Sequence, residues 1–268
     1  MRKTRISREA LKAELEDIYA VYHRRRYVDP DPLLYLYDYE ALADREVVGL
    51  LASALAYGRV AQIMASVAGL LRRIGPSPAD YLDAVSPSQL RRDMDGFVHR
   101  FANAEAMASL LGAIREVQRA HGGLYACFCD GFDSNADTTL PALTHFVDRL
   151  HRCGAGGHLM PRPGRGSACK RLHLFLRWMV REDAVDPGGW NAVPPAMLVV
   201  PLDVHMHRVG RALGFTRRRT ADAIAAQEVT AGFRNIAPDD PVKYDFSLTR
   251  LGIRPDGDLD SFLNRVGI

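Results

Sequence analysis

The chain has 268 residues, of which 47% are hydrophobic and 25% are charged, and its net charge is only +3. A chain of this length and composition can bury a sizeable core as one or two globular domains. No apolar run approaches the ~18 residues of a membrane span, and residues 1–5 begin a charged segment rather than a secretion signal. We therefore expect no membrane partner and a cytoplasmic location.

In the first half of the chain, apolar residues recur at helical spacing. The predicted helices there run over residues 44–56, 60–74, 103–120 and 140–151, after a first helix over 7–23. Asp44 is the expected cap of the second helix, because aspartate is a favoured N-cap residue. Residues 122–138 are rich in glycine and aspartate and are predicted to form a polar loop.

The second half continues the helical pattern after a loose, glycine-rich stretch at 153–167. Helices are predicted over 170–181, from Asp203 to about Gly214, and over 221–233, 242–252 and 258–266, with Thr220 capping the third of them. No alternating Val/Ile/Thr runs interrupt this succession. We therefore predict an all-α fold.

The cysteines, Cys127, Cys129, Cys153 and Cys169, give no metal-binding pattern. The spacing of the first two is unusual for zinc, and no Cys-x-x-Cys pair follows. We therefore expect reduced, unligated thiols, no metal site and no cofactor.

Positive charge is concentrated in two blocks. Residues 149–181 contain eight Lys/Arg and no acid, and residues 204–221 contain five Arg and no acid. A basic field of this kind suits a phosphate backbone, so nucleic acid is a candidate partner. A solvated basic face is the alternative explanation.

Asp203 lies between these blocks, in residues 200–210. In this segment an apolar run meets Pro201 and then an acid, two histidines and an arginine. Proline is poor in a helix interior and aspartate is a preferred cap, so Asp203 is predicted to begin a helix. The positive end of the helix dipole favours a charged carboxylate at that position. A capping role alone would also explain this residue.

The sequence of residues 200–206, Val-Pro-Leu-Asp-Val-His-Met, resembles the segment that carries the essential aspartate of the helix-hairpin-helix (HhH-GPD) DNA glycosylases. Over this segment, the sequence is more similar to that of the 8-oxoguanine glycosylases than to that of endonuclease III. The resemblance implies that Asp203 is the catalytic carboxylate. It also implies a bilobal helical fold, with a middle lobe over 44–150 and a second lobe formed by 1–43 and 151–268. An iron–sulfur cluster of the endonuclease III kind is excluded, since no cysteine follows Cys169.

The same resemblance implies DNA contacts at two other places. Tyr57 and Arg59 lie at the helix junction that enters the DNA in those glycosylases. Residues 163–167 are similar to the hairpin that binds a DNA phosphate through backbone N–H groups, which makes Arg165, Gly166 and Ser167 candidate contacts. Here the helix before the hairpin is poorly formed, so the element is expected to be degenerate or replaced by a loop.

Lys170 decides the mode of reaction that the resemblance implies. A lysine amine in the site attacks the sugar, forms a Schiff base and then nicks the strand. The amine must first lose its proton, which burial or nearby cations such as Arg171 and Arg177 would favour. The alternative is that Lys170 binds phosphate on a basic helix. Arg171 and Arg177 are also expected to contact DNA.

His205 and Arg208 are also expected to contact phosphate, one turn after Asp203. A metal site formed by Asp203, His205 and His207 is the competing hypothesis. On a helix the two histidines point ~200° apart, which separates the ligands, whereas on a strand they would converge.

Residues 170–181, 186–190 and 240–246 further resemble a prokaryotic family of unassigned function that is distantly related to these glycosylases. Together, the resemblances imply a monomeric base-excision repair enzyme that binds double-stranded DNA with a damaged base and hydrolyses the N-glycosidic bond. AP-lyase activity would depend on Lys170. A non-catalytic DNA- or RNA-binding relative and a metallohydrolase are the alternatives, and the lesion is left open.

Overall fold

A computed structural model describes residues 6–254 and 257–266. Within these ranges its α-helices are α1 (Arg8–Tyr22), α2 (Leu42–Ala54), α3 (Val60–Ile74), α4 (Pro78–Ala84), α5 (Pro87–Asp93), α6 (Ala104–His121), α7 (Leu124–Cys129), α8 (Leu140–Arg152), α9 (Lys170–Val180), α10 (Val204–Ala212), α11 (Ala223–Arg234), α12 (Asp245–Ile253) and α13 (Leu259–Val266). Short 3-10 helices cover Arg25–Tyr27, Pro32–Asp38 and Pro195–Met197. The strands β1 (Val98–His99) and β2 (Ala102–Asn103) pair as a small antiparallel hairpin. The predicted all-α class is confirmed.

The long helices lie where their apolar spacing predicts them, but two predicted caps are wrong. α2 begins at Leu42, and the carboxylate of Asp44 instead accepts from the backbone N–H of Ala79 at 2.8 Å. The cap of α11 is Asp222, which accepts from the N–H of Ala225 at 2.9 Å. A tertiary contact in one case and a neighbouring acid in the other thus outweigh the local preference.

Helix α7 lies inside the stretch predicted to be a polar loop. Its first two N–H groups, those of Leu124 and Tyr125, donate to the buried carboxylate of Glu46 at 2.8 and 3.2 Å. Glu46 belongs to α2, and it also accepts from the indole N–H of Trp190 at 3.0 Å. Because a residue distant in sequence supplies the cap, the sequence of residues 122–138 does not by itself predict this helix.

The stretch over 153–169, all of which the structure describes, contains no helix. α8 ends at Arg152, and an irregular segment with Gly164 and Gly166 at positive φ leads to α9. This agrees with a loop in place of an intact hairpin. The more specific prediction of a helix-hairpin-helix fold stays a prediction.

Packing joins the helices through one continuous core. α6 contacts α4, α5, α7 and α8, whereas α12 contacts α1, α10 and α13, and α2 packs on α9 between the two groups. The division into lobes at residues 44 and 150 is not tested by these contacts. No helix in the described part of the chain is long and apolar enough to cross a membrane.

A buried ionic network fastens α9 to α12. The Arg177 guanidinium, only 3% exposed, donates to Asp186 at 3.1 and 3.2 Å and to Asp245 at 2.5 Å. Arg181, one turn later, pairs with Asp186 at 3.1 Å and with Asp240 at 3.0 Å. Burial opposes the charge on Arg177, but the two carboxylates outweigh it and raise the pKa of this arginine. The network fixes how the two helices meet, and the candidate site lies beside it.

Candidate active site

A cavity of about 180 Å³ lies where the N-terminal ends of α9 and α10 approach α12. Its charged lining residues are Asp31, Lys170, Arg177, Asp203, Asp245 and Arg250. Most of the remaining wall is apolar, including Ile63, Leu174, Trp178 and Phe246. A larger cavity of about 490 Å³ beside α11 has Arg8 and Glu228 as its charged lining groups. The volume of a cavity does not indicate a reaction, whereas several ionisable groups in its wall do. The smaller cavity, which has more charged lining residues, is therefore the better candidate for an active site.

Asp203 caps α10, as predicted from the sequence. Its Oδ1 accepts from the N–H groups of His205 and Met206, both at 2.9 Å. Its Oδ2 accepts no hydrogen bond from any residue that the structure describes. One oxygen therefore holds the side chain at the helix end, and the other is available at the cavity.

Lys170 is the first residue of α9, also as predicted, and it lines the same cavity. Cys169 precedes it with φ of +46°, a backbone conformation in which no side chain caps the helix. Among the described residues, the half-buried Lys170 amine has no hydrogen bond or ion pair. The cavity thus brings together an uncommitted amine and an uncommitted carboxylate oxygen from two different helix starts.

Asp245 is a further acid in this cavity, and it was not predicted from the sequence. It is the first residue of α12, is 4% exposed, and accepts from Arg177 through Oδ2. Burial raises the pKa of Asp245 to about 6; Arg177 opposes the rise, the charge of Asp203 adds to it, and Lys170 opposes it. Asp203, Lys170 and Asp245 therefore lie within electrostatic reach of one another.

Nothing local could have selected Asp245. The sequence predicts a helix that starts three residues earlier, at 242, and an acid in a first turn is ordinary. What distinguishes Asp245 is its buried ion pair with Arg177, a residue remote in sequence. Only the pairing of α9 with α12 reveals it.

Two arginines assigned to DNA contact are corrected by the structure. Arg177 is buried in the ionic network, so its charge is neutralised by Asp186 and Asp245 and is not offered to phosphate. Arg171 points its guanidinium inward, where it donates to the carbonyls of Ala54 and His158. The sequence pattern shows where these cations lie along α9, but not which long-range partners they have.

Tyr57 is also corrected. Its hydroxyl donates to the His99 carbonyl at 2.9 Å and bonds the His158 ring nitrogen at 2.9 Å, and the Arg171 guanidinium lies 4.9 Å from its ring centre. The hydroxyl hydrogen is therefore engaged within the protein and is not available to donate to DNA. Arg59, two residues later, is exposed and remains a candidate contact.

The exposed apolar residue near this junction is Phe101, at the turn of the β1–β2 hairpin. It is 74% exposed, and its ring lies 6.0 Å from that of His158, which contacts Tyr57. The ring is therefore accessible for contact with a ligand. No prediction from the sequence singles out Phe101.

Arg165, Gly166 and Ser167 are exposed in the segment before α9. The Gly166 carbonyl accepts from the Ala223 N–H at 3.0 Å, which ties the segment to the start of α11. Exposure and the positive φ of Gly166 are compatible with backbone contact to phosphate. Their role in DNA binding stays a prediction.

The two histidines of α10 separate, as expected on a helix. His205 lines the cavity, whereas the buried His207 ring bonds the Arg218 carbonyl at 3.1 Å. No group of three or more His, Cys, Asp or Glu side chains within 6–254 and 257–266 is arranged to hold a metal. Arg208 is exposed and pairs with Asp260, so a phosphate would compete with that acid.

A family model described as a protein of unknown function, DUF2400, matches residues 31–254. The chain belongs to this family. The match includes Lys170, Asp203 and Asp245, and it covers the chain from the 3-10 helix at Pro32–Asp38 through α12. No curated protein and no solved structure matches the chain. Membership of the DUF2400 family does not assign an activity. A function therefore has to be inferred from the cavity.

Proposed function

We propose that this DUF2400 protein is a DNA glycosylase-like base-excision repair enzyme that cleaves the N-glycosidic bond of a damaged base. The observation that carries this proposal is the cavity shared by Lys170 and Asp203. The uncommitted carboxylate oxygen is the group that hydrolysis of this bond requires, and the uncommitted amine beside it would allow a second, covalent route. The resemblance of residues 200–206 to the glycosylases supports the same assignment.

Asp203 would act on the sugar. As the C1′–N bond breaks, its electrons leave with the base and positive charge develops on C1′ and the ring oxygen. The free Oδ2 of Asp203 stabilises that charge, and its fixed position at the helix end avoids reorganisation during the reaction. Water then forms the new bond to C1′, and its proton passes to the carboxylate.

Lys170 offers a second route. A neutral amine forms a bond to C1′ as the base leaves, and Asp203 would take the proton that the amine then loses. That proton would pass to O4′ as the C1′–O4′ bond breaks, and the open sugar would be joined to Lys170 as an iminium ion. The iminium is reducible by borohydride, and its decay by elimination nicks the strand.

The surroundings of the cavity suit a base that has left a DNA duplex. Val60 and Ile253 line the cavity and are exposed, and Val204 is exposed beside Asp203. With Phe101 on the nearby hairpin, these side chains offer apolar contact to exposed base faces. Arg59 and Arg165 are exposed and free of ion pairs with described residues, so they can bind phosphate and offset the few kcal/mol of base flipping.

The test is a panel of duplexes carrying uracil, hypoxanthine, 8-oxoguanine, alkylated purines or oxidised pyrimidines, assayed for base release and strand nicking. Asp203→Asn keeps a capping side chain, so it should retain the fold and DNA affinity but lose base release by about 10²-fold or more. Lys170→Gln should abolish borohydride trapping if the lysine is the nucleophile.

The matched controls are Asp258→Asn, which changes the cap of α13, and Lys12→Gln on the exposed face of α1. Both should release base at the wild-type rate. DNA binding without release from any duplex would instead indicate a non-catalytic nucleic-acid-binding protein. If Asp203→Asn releases base like the wild type, the catalytic site lies elsewhere.

A further inference from the structure

Exposed apolar side chains gather around the candidate active site. Within the described residues, the large apolar side chains that are exposed are Val21, Val60, Val98, Phe101, Val204, Ile224 and Ile253. Val60 and Ile253 line the cavity, and Val204 directly follows Asp203. Val98 and Phe101 belong to the β1–β2 hairpin. Single exposed apolar residues are ordinary, but a group of them at one place marks a surface that contacts another molecule.

The β1–β2 hairpin is fixed on the junction between α2 and α3, which leads to the cavity. The ring of His99, which is fully buried, bonds the Tyr57 carbonyl through Nε2 at 3.1 Å. The Arg100 side chain crosses Gly58, since a Cβ added to that glycine would lie 2.8 Å from the Arg100 Cδ. Val60, two residues after Gly58, lines the cavity. The tip of the hairpin is therefore held next to residues that lead into the candidate site.

The turn of this hairpin presents one cationic and one aromatic side chain to solvent. Arg100 has a φ of +53°, a conformation that favours glycine or asparagine in a tight hairpin. Residues held in such sparsely populated conformations are concentrated at functional sites. Phe101 is exposed, whereas every other Phe, Tyr and Trp side chain that the structure describes is buried or half-buried. The turn thus holds an accessible ring beside a cation, at a fixed position.

Cations and apolar side chains alternate on this surface. Arg59 precedes Val60 and Arg100 precedes Phe101, and neither arginine has an ion pair with a described residue. A nucleic-acid strand presents phosphates at regular intervals and, where it is unpaired, base faces between them. In a paired duplex the base faces are stacked on one another and hidden. The alternation therefore matches a strand with unpaired bases better than a paired duplex.

We infer that Arg59, Val60, Arg100 and Phe101 form a strand-binding surface for unpaired DNA bases next to the target nucleotide. Phe101 contacts the face of a base, and the two arginines bind the flanking phosphates. The strand is either a free single strand or one strand of a duplex that is open around the damaged base. This inference rests on the proposed glycosylase function, which brings the strand to the cavity, and it gives the class of DNA that the site accepts.

The test measures binding of one labelled strand in three forms by fluorescence anisotropy. The strand is fully paired, paired except for a short bubble of mismatches, or single. A tetrahydrofuran residue replaces the target nucleotide, so no base can be released during the measurement. The bubble should bind about 10-fold more tightly than the paired duplex, because base contacts are made only by the unpaired strand. Binding of the single strand tells which source of unpaired bases the surface accepts.

Phe101→Ala should weaken binding of the bubble by about 5-fold or more and change binding of the paired duplex little. Phe101→Trp keeps an aromatic face and should retain the preference. Val21→Ala removes an exposed apolar side chain of α1 and is the matched control, which should bind like the wild type. Arg100→Met should reduce the slope of log Kd against log salt for the single strand by ~0.7, the value for one phosphate contact.

The outcomes separate this surface from the proposed reaction. A preference for the bubble that Phe101→Ala abolishes, without base release from any lesion in paired or unpaired DNA, would refute the glycosylase function and keep the strand-binding surface. Base release by a protein that binds bubble and paired duplex equally would do the reverse. A Phe101→Ala variant that keeps the wild-type preference would also overturn the inference, because the side chain that carries it would then have no effect.

Discussion

Lys170 and Arg177 are two cations on one helix, two turns apart, and they line the same cavity. Arg177 makes three hydrogen bonds to two buried carboxylates, whereas Lys170 makes none with the described residues. A buried charge that is fully paired holds the fold together and has nothing left for a ligand. An unpaired amine at a cavity adds little to stability and is free to react or bind. The number of Lys and Arg residues on a helix therefore does not predict ligand binding until the ion-pair partner of each side chain is known.

The largest expected difference between these two residues is in stability. Arg177→Met leaves Asp186 and Asp245 without their shared cation, which should lower the free energy of unfolding by about 3–5 kcal/mol. Lys170→Met removes no hydrogen bond or ion pair with a described residue and keeps a similar apolar stem, so it should change the free energy by no more than ~0.5 kcal/mol. Urea unfolding followed by circular dichroism measures both.

Arg265→Met is the control for a paired but exposed arginine, since Arg265 pairs with Glu14 at the surface. It should resemble Lys170→Met rather than Arg177→Met, because exposed ion pairs contribute little. Equal unfolding midpoints for Arg177→Met and Arg265→Met would contradict a structural role for the buried network.

Much of the local structure could be predicted from the sequence. Periodic apolar residues predicted the observed bounds of α3. Asp203 was predicted to begin a helix because Pro201 is poor in a helix interior and aspartate is a favoured cap. Lys170 was predicted at the start of α9 because the helical pattern resumes there after the glycine-rich stretch. These features depend on residues within one or two turns of each other.

What could not be predicted depends on contacts between remote residues. Glu46 caps α7 from another helix, and Arg177 is neutralised by acids that lie after it in the chain. Tyr57 is occupied by His99 and His158. In each case the residue type gave several allowed roles, and tertiary packing selected one of them.

Asp245 interacts with both of these cations, because it is paired with Arg177 and lines the same cavity as Lys170. Its pKa rises from 3.8 to about 6 in the folded protein. The neutral form is thus favoured by folding: the stabilisation is full below pH ~4 and is lost as pH rises through about 6. Asp245→Asn stays neutral, so it should gain on the order of 3 kcal/mol relative to wild type between pH 4 and pH 7.

The difference in unfolding free energy between Asp245→Asn and wild type, measured from pH 4 to 7, tests this. Asp258→Asn is a control of opposite sign, because hydrogen bonds from Ser261 lower the pKa of Asp258. The stability that Asp258 contributes is present above pH ~4, so its replacement should be relatively less stable at pH 7. A flat difference for Asp245→Asn would mean that its carboxyl is not held in a cavity that disfavours charge.

The smallest expected effect concerns phosphate binding and separates Arg171 from Arg59. Arg171 is held by the carbonyls of Ala54 and His158, whereas Arg59 is exposed at the start of α3. Arg59→Met should reduce the slope of log Kd against log salt for duplex DNA by ~0.9, the value for one phosphate contact, and leave stability within ~0.5 kcal/mol. Arg171→Met should leave that slope unchanged and lower stability by about 1–3 kcal/mol, because two carbonyls lose their donor. Titrations between 50 and 200 mM salt measure the slopes. If Arg171→Met changes the slope and Arg59→Met does not, the inward guanidinium turns toward DNA on binding, and the distinction between paired and available cations fails at this position.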